Sequence, residues 1–336
     1  MYRSIVTAIP HFEAMVPIAR AAEAAGYHRL WTTESMDRDA VLRAVSVGCA
    51  TSSIGVASGI AYSFTRHPLA AAAQIADAWV ATDGRFLFGV GAGTRGQRKR
   101  YAAPWEHPAP QYVEYVRAVR ALLSGEPVHY QGEYYQVEMP AGLGRGHVPV
   151  PIYGSGLNRI MLKYCATVCD GVGIHSLAAA PGYLEEVTMP ALAEGAERND
   201  RKPTLACWYI ACVDEDEEVA RQTARLQLAF YLSTPSYRTV AEHGGWGDVA
   251  ARVRELATET RYQDWGRVAR EVPDHVVDDL TLTVTAFQVR SRLPKLEERL
   301  AAHGIEELVF QLVGTDCTAE EVEAAGLALV SACAPR

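Results

Sequence analysis

Side chains capable of acid–base chemistry follow several apolar segments of this sequence. Glu34 comes directly after one short apolar run, Asp37 follows three residues later, and His11 and His67 stand after two other runs. A carboxyl or imidazole group at the end of a buried strand is a candidate acid, base or substrate anchor. We predict Glu34 as the proton donor, with His11 as the alternative. The competing interpretations are structural, because Asp37 and Asp39 suit helix N-caps and His67 precedes a proline that can open a helix.

Two glycine-rich segments could bind an anion. Residues 91–96 read GAGTRG, and residues 154–156 read GSG directly before a predicted helix. Small residues let backbone N–H groups approach an anion, and a helix dipole adds to the attraction. The candidate residues are Gly91, Gly93, Thr94, Arg95, Gly154, Ser155 and Gly156. Together the segments indicate a phosphorylated ligand that spans both, although each could also be a tight turn without a ligand.

The first of these segments matches the pattern G-x-G-x-x-G. A Rossmann dinucleotide site requires an apolar helix after the glycines, and here the polar sequence RGQRKRY follows instead. We therefore do not predict a Rossmann fold. The basic residues Arg95, Arg98, Lys99 and Arg100 form either a solvated loop or a contact for a polyanionic ligand.

The elements that must position these residues alternate between short apolar runs and alanine-rich amphipathic stretches. Eight strands are predicted at residues 4–9, 29–33, 54–63, 86–90, 150–153, 171–174, 205–213 and 307–313. A helical segment follows each strand, which is the pattern of a (β/α)₈ barrel, and apolar runs suit strands buried on both faces. We predict an α/β fold, a single TIM-barrel domain over residues 1–336, with insertions after strands 4, 5 and 7. The candidate residues would then lie at the carboxyl ends of the strands, where such barrels carry their chemistry.

Composition limits the classes of function. The 336 residues are 49% apolar and 21% charged, with a net charge of −8, so the chain is not a disordered one and does not bind nucleic acid by bulk electrostatics. Seven cysteines occur without a C-x-x-C pair, which predicts free thiols and no metal site. With neither a signal-peptide core nor a membrane span predicted, we expect a cytoplasmic protein that does not associate with membranes.

Four segments resemble one known family. They are AAEAAGYHRLWTTES at residues 21–35, SIGVASGIAYSFTRHPLAAAAQIADAW at 53–79, DGRFLFGVGAG at 83–93 and PIYGSGLNRIMLKYCATVCDGVGI at 151–174. The sequence resembles the bacterial luciferase-like superfamily of barrel flavoproteins. Within that superfamily it is most similar to deazaflavin (coenzyme F420)-dependent oxidoreductases of the methylenetetrahydromethanopterin reductase type.

The resemblance implies a cofactor site. In this family a non-proline cis peptide in the third strand lies behind the central ring of the deazaflavin, and the matching bond here is Gly59–Ile60. Tyr62 lies in the same segment and is assigned to the cofactor with them. The loops after strands 4 and 5 hold the cofactor phosphate in the family, and the polyglutamate tail of F420 would account for the basic run at residues 95–100.

The sequence also departs from the family. Glu34-Ser35 replaces the Asp-His pair of the sugar-phosphate dehydrogenase branch, and residues 283–288 replace a glycine-containing turn. The leading hypothesis is hydride transfer from reduced F420 to a C=C, C=N or C=O bond of a small-molecule substrate, in a homodimer. One alternative is an FMN-dependent luciferase-like monooxygenase. The other is a non-catalytic barrel that binds a flavin or a phosphorylated ligand.

Overall fold

A computed structural model describes residues 1–199, 201–313 and 317–335. Its strands are β1 (Tyr2–Thr7), β2 (Arg29–Thr32), β3 (Gly55–Ser58), β4 (Ala61–Tyr62), β5 (Phe86–Gly91), β6 (Val128–Gln131), β7 (Gln136–Met139), β8 (Ile152–Gly156), β9 (Gly171–His175), β10 (Thr204–Val213), β11 (Thr281–Val284) and β12 (Glu307–Leu312). Its α-helices are α1 (Met15–Ala24), α2 (Ala40–Cys49), α3 (Pro68–Ala81), α4 (Arg95–Arg100), α5 (Pro108–Leu123), α6 (Arg159–Val168), α7 (Met189–Ala196), α8 (Glu217–Ser233), α9 (Arg238–His243), α10 (Gly247–Glu259), α11 (Trp265–Ala269), α12 (Asp274–Leu280), α13 (Val289–Ala302) and α14 (Ala319–Ala332). No helix among the described residues is both long enough and apolar enough to cross a bilayer.

The strand order confirms the predicted barrel. The sheet runs β12–β1–β2–β3–β5–β8–β9, and β10 pairs with both β9 and β12. Eight strands therefore close the (β/α)₈ barrel, while β4 continues the path of β3 and pairs with β5. The barrel strands are largely buried because helices cover the outer face and other side chains fill the interior.

Backbone contacts divide the chain into two compact units. The first comprises residues 1–28, 174–190 and 205–336, and the second comprises residues 29–173 and 191–204. The second unit contains β2, β3, β4, β5 and β8, whose carboxyl ends hold most of the candidate residues. A single domain over residues 1–336 stays a prediction.

Local sequence signals explain where the helices of the second unit begin. The Asp39 carboxylate accepts a hydrogen bond from the Leu42 N–H at 2.8 Å and so caps α2. His67 caps α3 with Pro68 at the first helical position, and Asn158 caps α6. These contacts satisfy N–H groups that a helix leaves unpaired in its first turn. The structural interpretations of Asp39 and His67 are thereby confirmed.

Two expectations about the connections were wrong: that an insertion follows the fifth strand, and that residues 95–110 form a long polar loop. No insertion follows the fifth strand, because the ten-residue helix α6 connects β8 directly to β9; the long segments follow the fourth and seventh strands. Residues 95–110 are not a polar loop, since a Thr94–Gln97 capping box starts helix α4 there. The stretch after the seventh strand is mostly helical, as expected, and it also contains the short strand β11, which pairs with β10 in parallel.

Candidate active site

Three of the residues assigned to the cofactor lie side by side in neighbouring strands. Tyr62 at the end of β4 pairs with Gly91 at the end of β5, and Gly91 pairs with Ser155 in β8. We call this set the strand-end row. Gly59, Ile60, Gly93 and Gly156 flank the row and are partly exposed, although the strands leading to them are buried. The row lies at the carboxyl ends of the strands, the end of such barrels that carries their chemistry.

The Gly59–Ile60 peptide bond is cis, as the resemblance implies. It lies between β3 and β4, the two short strands that together form the third strand of the barrel. The prediction for this bond is confirmed.

The glycines of the strand-end loops have a packing role that the sequence did not reveal. A Cβ atom on Gly91 would lie 2.1 Å from Ile60 Cδ1, and one on Gly154 would lie 2.7 Å from the Cβ of Cys165. On Gly156 it would meet the backbone of α6 at 2.7 Å. Side chains and backbone of the protein occupy the space that these glycines leave. Contact of their backbone with a cofactor stays a prediction.

Glu34 is buried beside the strand-end row. Only 4% of its side chain is exposed, and its Oε1 atom accepts hydrogen bonds from Arg66 Nη1 at 3.0 Å and from the Thr65 hydroxyl at 3.3 Å. Its other oxygen, Oε2, accepts only the longer contact from Arg66 at 3.3 Å. Burial raises the pKa of the Glu34 carboxyl, and the Arg66 guanidinium acts in the opposite direction. The Glu34 carboxyl therefore binds a proton more readily than a solvent-exposed glutamate does, and Oε2 is the oxygen with the weaker hydrogen bond.

Tyr62 connects the row to Glu34 through the backbone. Its hydroxyl donates to the Glu34 carbonyl at 3.0 Å and accepts a hydrogen bond from the Gln97 amide. The Gln97 carboxamide also accepts from the Thr94 N–H at 2.7 Å. These contacts occupy the Tyr62 hydroxyl and the Thr94 N–H, so a ligand can reach Tyr62 only through its ring. That ring stacks on Phe64 at 5.3 Å.

Arg98 does not belong to the exposed basic run. Its side chain is fully buried, and its guanidinium donates to the carbonyls of Ala92 and Pro104 and to the Gln111 carboxamide at 2.7–2.8 Å. Arg98 thus joins the loop after β5 to helix α5. The expectation that the whole run at 95–100 meets a ligand was wrong for Arg98, because the protein itself supplies its acceptors.

A cleft of about 360 Å³ opens next to Glu34. Residues 34–39, Thr65, Arg66 and Tyr101 line it. Arg66 crosses it and donates hydrogen bonds to Glu34 and to the α2 cap Asp39. Sequence reasoning missed the roles of Arg66 and Gln97. Of the two, only Gln97 had a local signal, the T-x-x-Q spacing of a capping box.

The first compact unit presents its own polar groups at strand ends. His11, after β1, donates from Nε2 to the Cys317 carbonyl at 2.8 Å, and its Nδ1 lies 3.7 Å from Glu13. His11 could therefore donate a proton from Nδ1 only as the imidazolium. His175, at the end of β9, accepts from the Leu177 N–H at Nδ1 and packs edge-on against Tyr231 at 4.5 Å.

His175 gives the protein an acid-sensitive contribution to stability. Burial lowers the pKa of His175 to about 4 from 6.5, with the Gln311 side chain acting in the opposite direction. Between these values the unfolded chain binds the proton more readily, so stability falls as the pH drops from about 6.5 towards 4. We expect urea melts between pH 7 and pH 4 to show a smaller loss for His175→Phe than for the unsubstituted protein. Parallel pH curves for the two proteins would contradict this assignment.

Comparisons with known proteins agree with the predicted family and fold. The family model described as "Luciferase-like monooxygenase" matches residues 3–303. An uncharacterized protein of Mycobacterium tuberculosis (strain ATCC 25618 / H37Rv) is 32% identical over 270 residues, covering 74% of this chain and 79% of that protein. The 5,10-methylenetetrahydromethanopterin reductase of Archaeoglobus fulgidus is 27% identical, covering 83% and 84%.

Solved structures share the fold. The coenzyme F420-dependent tetrahydromethanopterin reductase from Methanopyrus kandleri superposes with a TM-score of 0.82 at 22% identity, covering 98% of this chain and 96% of that one. The oxygenating constituent of 3,6-diketocamphane monooxygenase from Pseudomonas putida, in complex with FMN, has a TM-score of 0.68 at 14% identity, covering 100% and 98%. The fold and the matched residues define an oxidoreductase barrel of the luciferase-like type. The chain belongs to the luciferase-like monooxygenase family.

Proposed function

We propose that the protein transfers a hydride between reduced coenzyme F420 and a small organic substrate, reducing a C=C, C=N or C=O bond. The observation that carries the proposal is the buried, hydrogen-bonded Glu34 beside the strand-end row Tyr62–Gly91–Ser155. Similarity to reductases named for this chemistry supports it. When bound, reduced F420 supplies a two-electron donor whose reactive atom is carbon.

The residues fit such a cofactor at the strand-end row. Gly59, Ile60, Gly93 and Gly156 are partly exposed around it, and the backbone N–H groups of Arg159 and Ile160 begin helix α6 close by in the chain. In this proposal Gly59, Ile60 and the Tyr62 ring hold the ring system. Residues Gly91, Gly93, Thr94, Gly154, Ser155 and Gly156 surround the phosphate, and Arg95 lies towards the tail.

Glu34 would supply the proton that completes the reduction. A general acid must carry a proton at the working pH. Burial favours this by raising the pKa of the Glu34 carboxyl. Arg66 and Thr65 hold Oε1, so the proton resides on Oε2. Because the acid form is the active one in reduction, turnover is expected to fall as the pH rises through the raised pKa.

The test is a titration with both cofactors. We expect F420 to bind at micromolar concentration or tighter, FMN to bind much more weakly, and F420 to be consumed in the presence of an acceptor. Equal or tighter FMN binding would favour the alternative of an FMN-dependent monooxygenase, a chemistry found in the FMN-bound structural relative. Cofactor binding without turnover on any acceptor would favour a non-catalytic barrel.

The exposed basic residues of α4 provide a further prediction. Arg95, Lys99 and Arg100 are exposed, whereas Arg98 is buried. We expect Arg95→Gln combined with Lys99→Gln to weaken binding of F420 with a long glutamate tail about two- to fivefold per charge at low salt, because exposed ion pairs contribute little and are screened. The same variants should not change binding of a tail-less analogue. If the affinities of both cofactor forms depended on salt in the same way, the exposed basic residues of α4 would not contact the tail.

A further inference from the structure

The turn after β2 places an arginine at the cleft beside Glu34. The backbone N–H groups of Ser35 and Arg38 donate to each other's carbonyls, at 3.1 and 3.4 Å. This pair of bonds closes a tight turn and fixes the backbone of Arg38. The Arg38 side chain lines the cleft and is 16% exposed.

The Arg38 guanidinium lacks hydrogen-bond acceptors. Its Nε and Nη1 atoms are buried, and neither has a hydrogen-bond partner among the residues that the structure describes. Its ion-pair contact is to Asp37, whose Oδ1 lies 3.3 Å from Nε without the alignment of a hydrogen bond. The Asp37 side chain is 54% exposed, so water competes for that carboxylate.

The other arginine of the cleft, Arg66, has hydrogen-bond acceptors within the protein. Arg66 donates to Glu34, to the Thr65 hydroxyl and to Asp39. The Nη1 and Nη2 atoms of Arg66 thus already have acceptors, whereas an anion entering the cleft would meet the exposed part of the Arg38 side chain, whose Nε and Nη1 lie buried behind it without an acceptor among the described residues. Leaving a buried charged donor unpaired is costly, and a ligand that supplies acceptor oxygens removes this cost.

We propose that Arg38 binds an anionic oxygen, that of a carboxylate, on the organic substrate. The substrate class is then an organic acid that carries the reducible bond. This inference rests on the proposed function, since it names the second substrate of that reaction. Arg38 and Glu34 belong to the same turn after β2, whereas the strand-end row belongs to β4, β5 and β8. We therefore assign the anion to the substrate and not to the cofactor.

Three small probes of similar size test the charge preference of the cleft. Benzoate, benzamide and benzylammonium present a carboxylate, a neutral amide and a cation on the same ring. We expect calorimetry or ligand-observed NMR on the full chain to show the highest affinity for benzoate and the lowest for benzylammonium. A preference for benzylammonium would mean that Glu34, Asp37 and Asp39 dominate the cleft and would overturn the proposal.

Paired variants identify the residue responsible. Arg38→Gln should weaken benzoate binding about ten- to hundredfold, the range expected for hydrogen bonds to a charged group, while benzamide binding changes much less. Asp37→Asn should strengthen benzoate binding, because it removes the competing negative charge. Arg252→Gln on α10, which disrupts an exposed ion pair with Glu255, is the control and should leave both affinities unchanged. Equal benzoate affinity in Arg38→Gln and the unsubstituted protein would refute the assignment.

Stability measurements separate ligand binding from a structural role. Since Arg38 donates no hydrogen bond that Gln would lose, Arg38→Gln should melt at or above the temperature of the unsubstituted protein. A clearly lower melting temperature would indicate that the guanidinium supports the fold instead. Probe binding is measured without cofactor, so failure of F420 to bind would reject the proposed function and leave this result intact. Weaker F420 binding in Arg38→Gln would assign the anion to the cofactor and overturn the proposal.

Discussion

Replacing Glu34 by Gln is expected to lower turnover with reduced F420 about 10²–10⁴-fold, the usual contribution of a general acid. Gln keeps the size of the side chain and an oxygen that can accept from Arg66 and Thr65. It has an amide group in place of Oε2, however, and so cannot act as an acid. F420 affinity should change little, because the strand-end row does not include the Glu34 side chain. Stopped-flow oxidation of reduced F420 and a separate binding titration measure the two effects.

Two further variants make the Glu34 result interpretable. Glu242→Gln, which removes a carboxylate from an exposed pair on α9, should turn over normally. His11→Asn tests the alternative donor in the same assay. Normal turnover by Glu34→Gln together with an inactive His11→Asn would assign the proton to His11. Full activity of both variants would mean that water or the substrate supplies the proton and that the protein contributes orientation.

Gly89→Ala is expected to destabilise the protein by about 3 kcal/mol or more, because the new methyl group has no space. A Cβ atom on Gly89 would lie 1.9 Å from the Ser58 carbonyl oxygen and 3.2 Å from the Trp31 ring. The Ser58 backbone cannot easily move away, since its hydroxyl bonds both the N–H and the carbonyl of Gly89 at 2.9–3.0 Å. Thermal and urea unfolding measure the loss.

Gly96→Ala is the matched control. It lies in the short helix α4, and the nearest atom to its Cβ would be Thr94 Oγ1 at 3.9 Å. Alanine favours a helix over glycine by up to about 1 kcal/mol, so Gly96→Ala should be neutral or slightly stabilising. Similar melting temperatures for Gly89→Ala and Gly96→Ala would show that β3 and β5 can separate to admit a side chain, contrary to the close contact described here.

Much of the scaffold was predictable because it depends on local pattern. Apolar runs separated by amphipathic stretches predicted the eight barrel strands, and the polar residues before helices predicted caps such as Asp39 and His67. The missed helix α4 carried a readable signal in Thr94 and Gln97. The insertion expected after strand 5 was wrong because sequence pattern locates elements better than it measures the connections between them.

The site was predictable only in part. Glu34 and the glycine-rich loops could be chosen because the carboxyl ends of barrel strands meet at one end of the fold. The partners of those residues could not, since Arg66 reaches Glu34 across 32 positions of sequence. The same limit applies to Arg98, which looks like its exposed neighbours in the sequence and is buried only because three acceptors converge on it.

The sequence by itself determined the barrel and the strand ends that carry polar groups, and its resemblance to a known family implied the cis bond at Gly59–Ile60. The tertiary structure decided which charges are satisfied. The buried Nε and Nη1 atoms of Arg98 have acceptors within the protein, whereas the same two atoms of Arg38 have none among the described residues. The physical reason is that periodicity and capping act over a few residues, while burial and hydrogen-bond partners depend on segments that only the folded chain brings together.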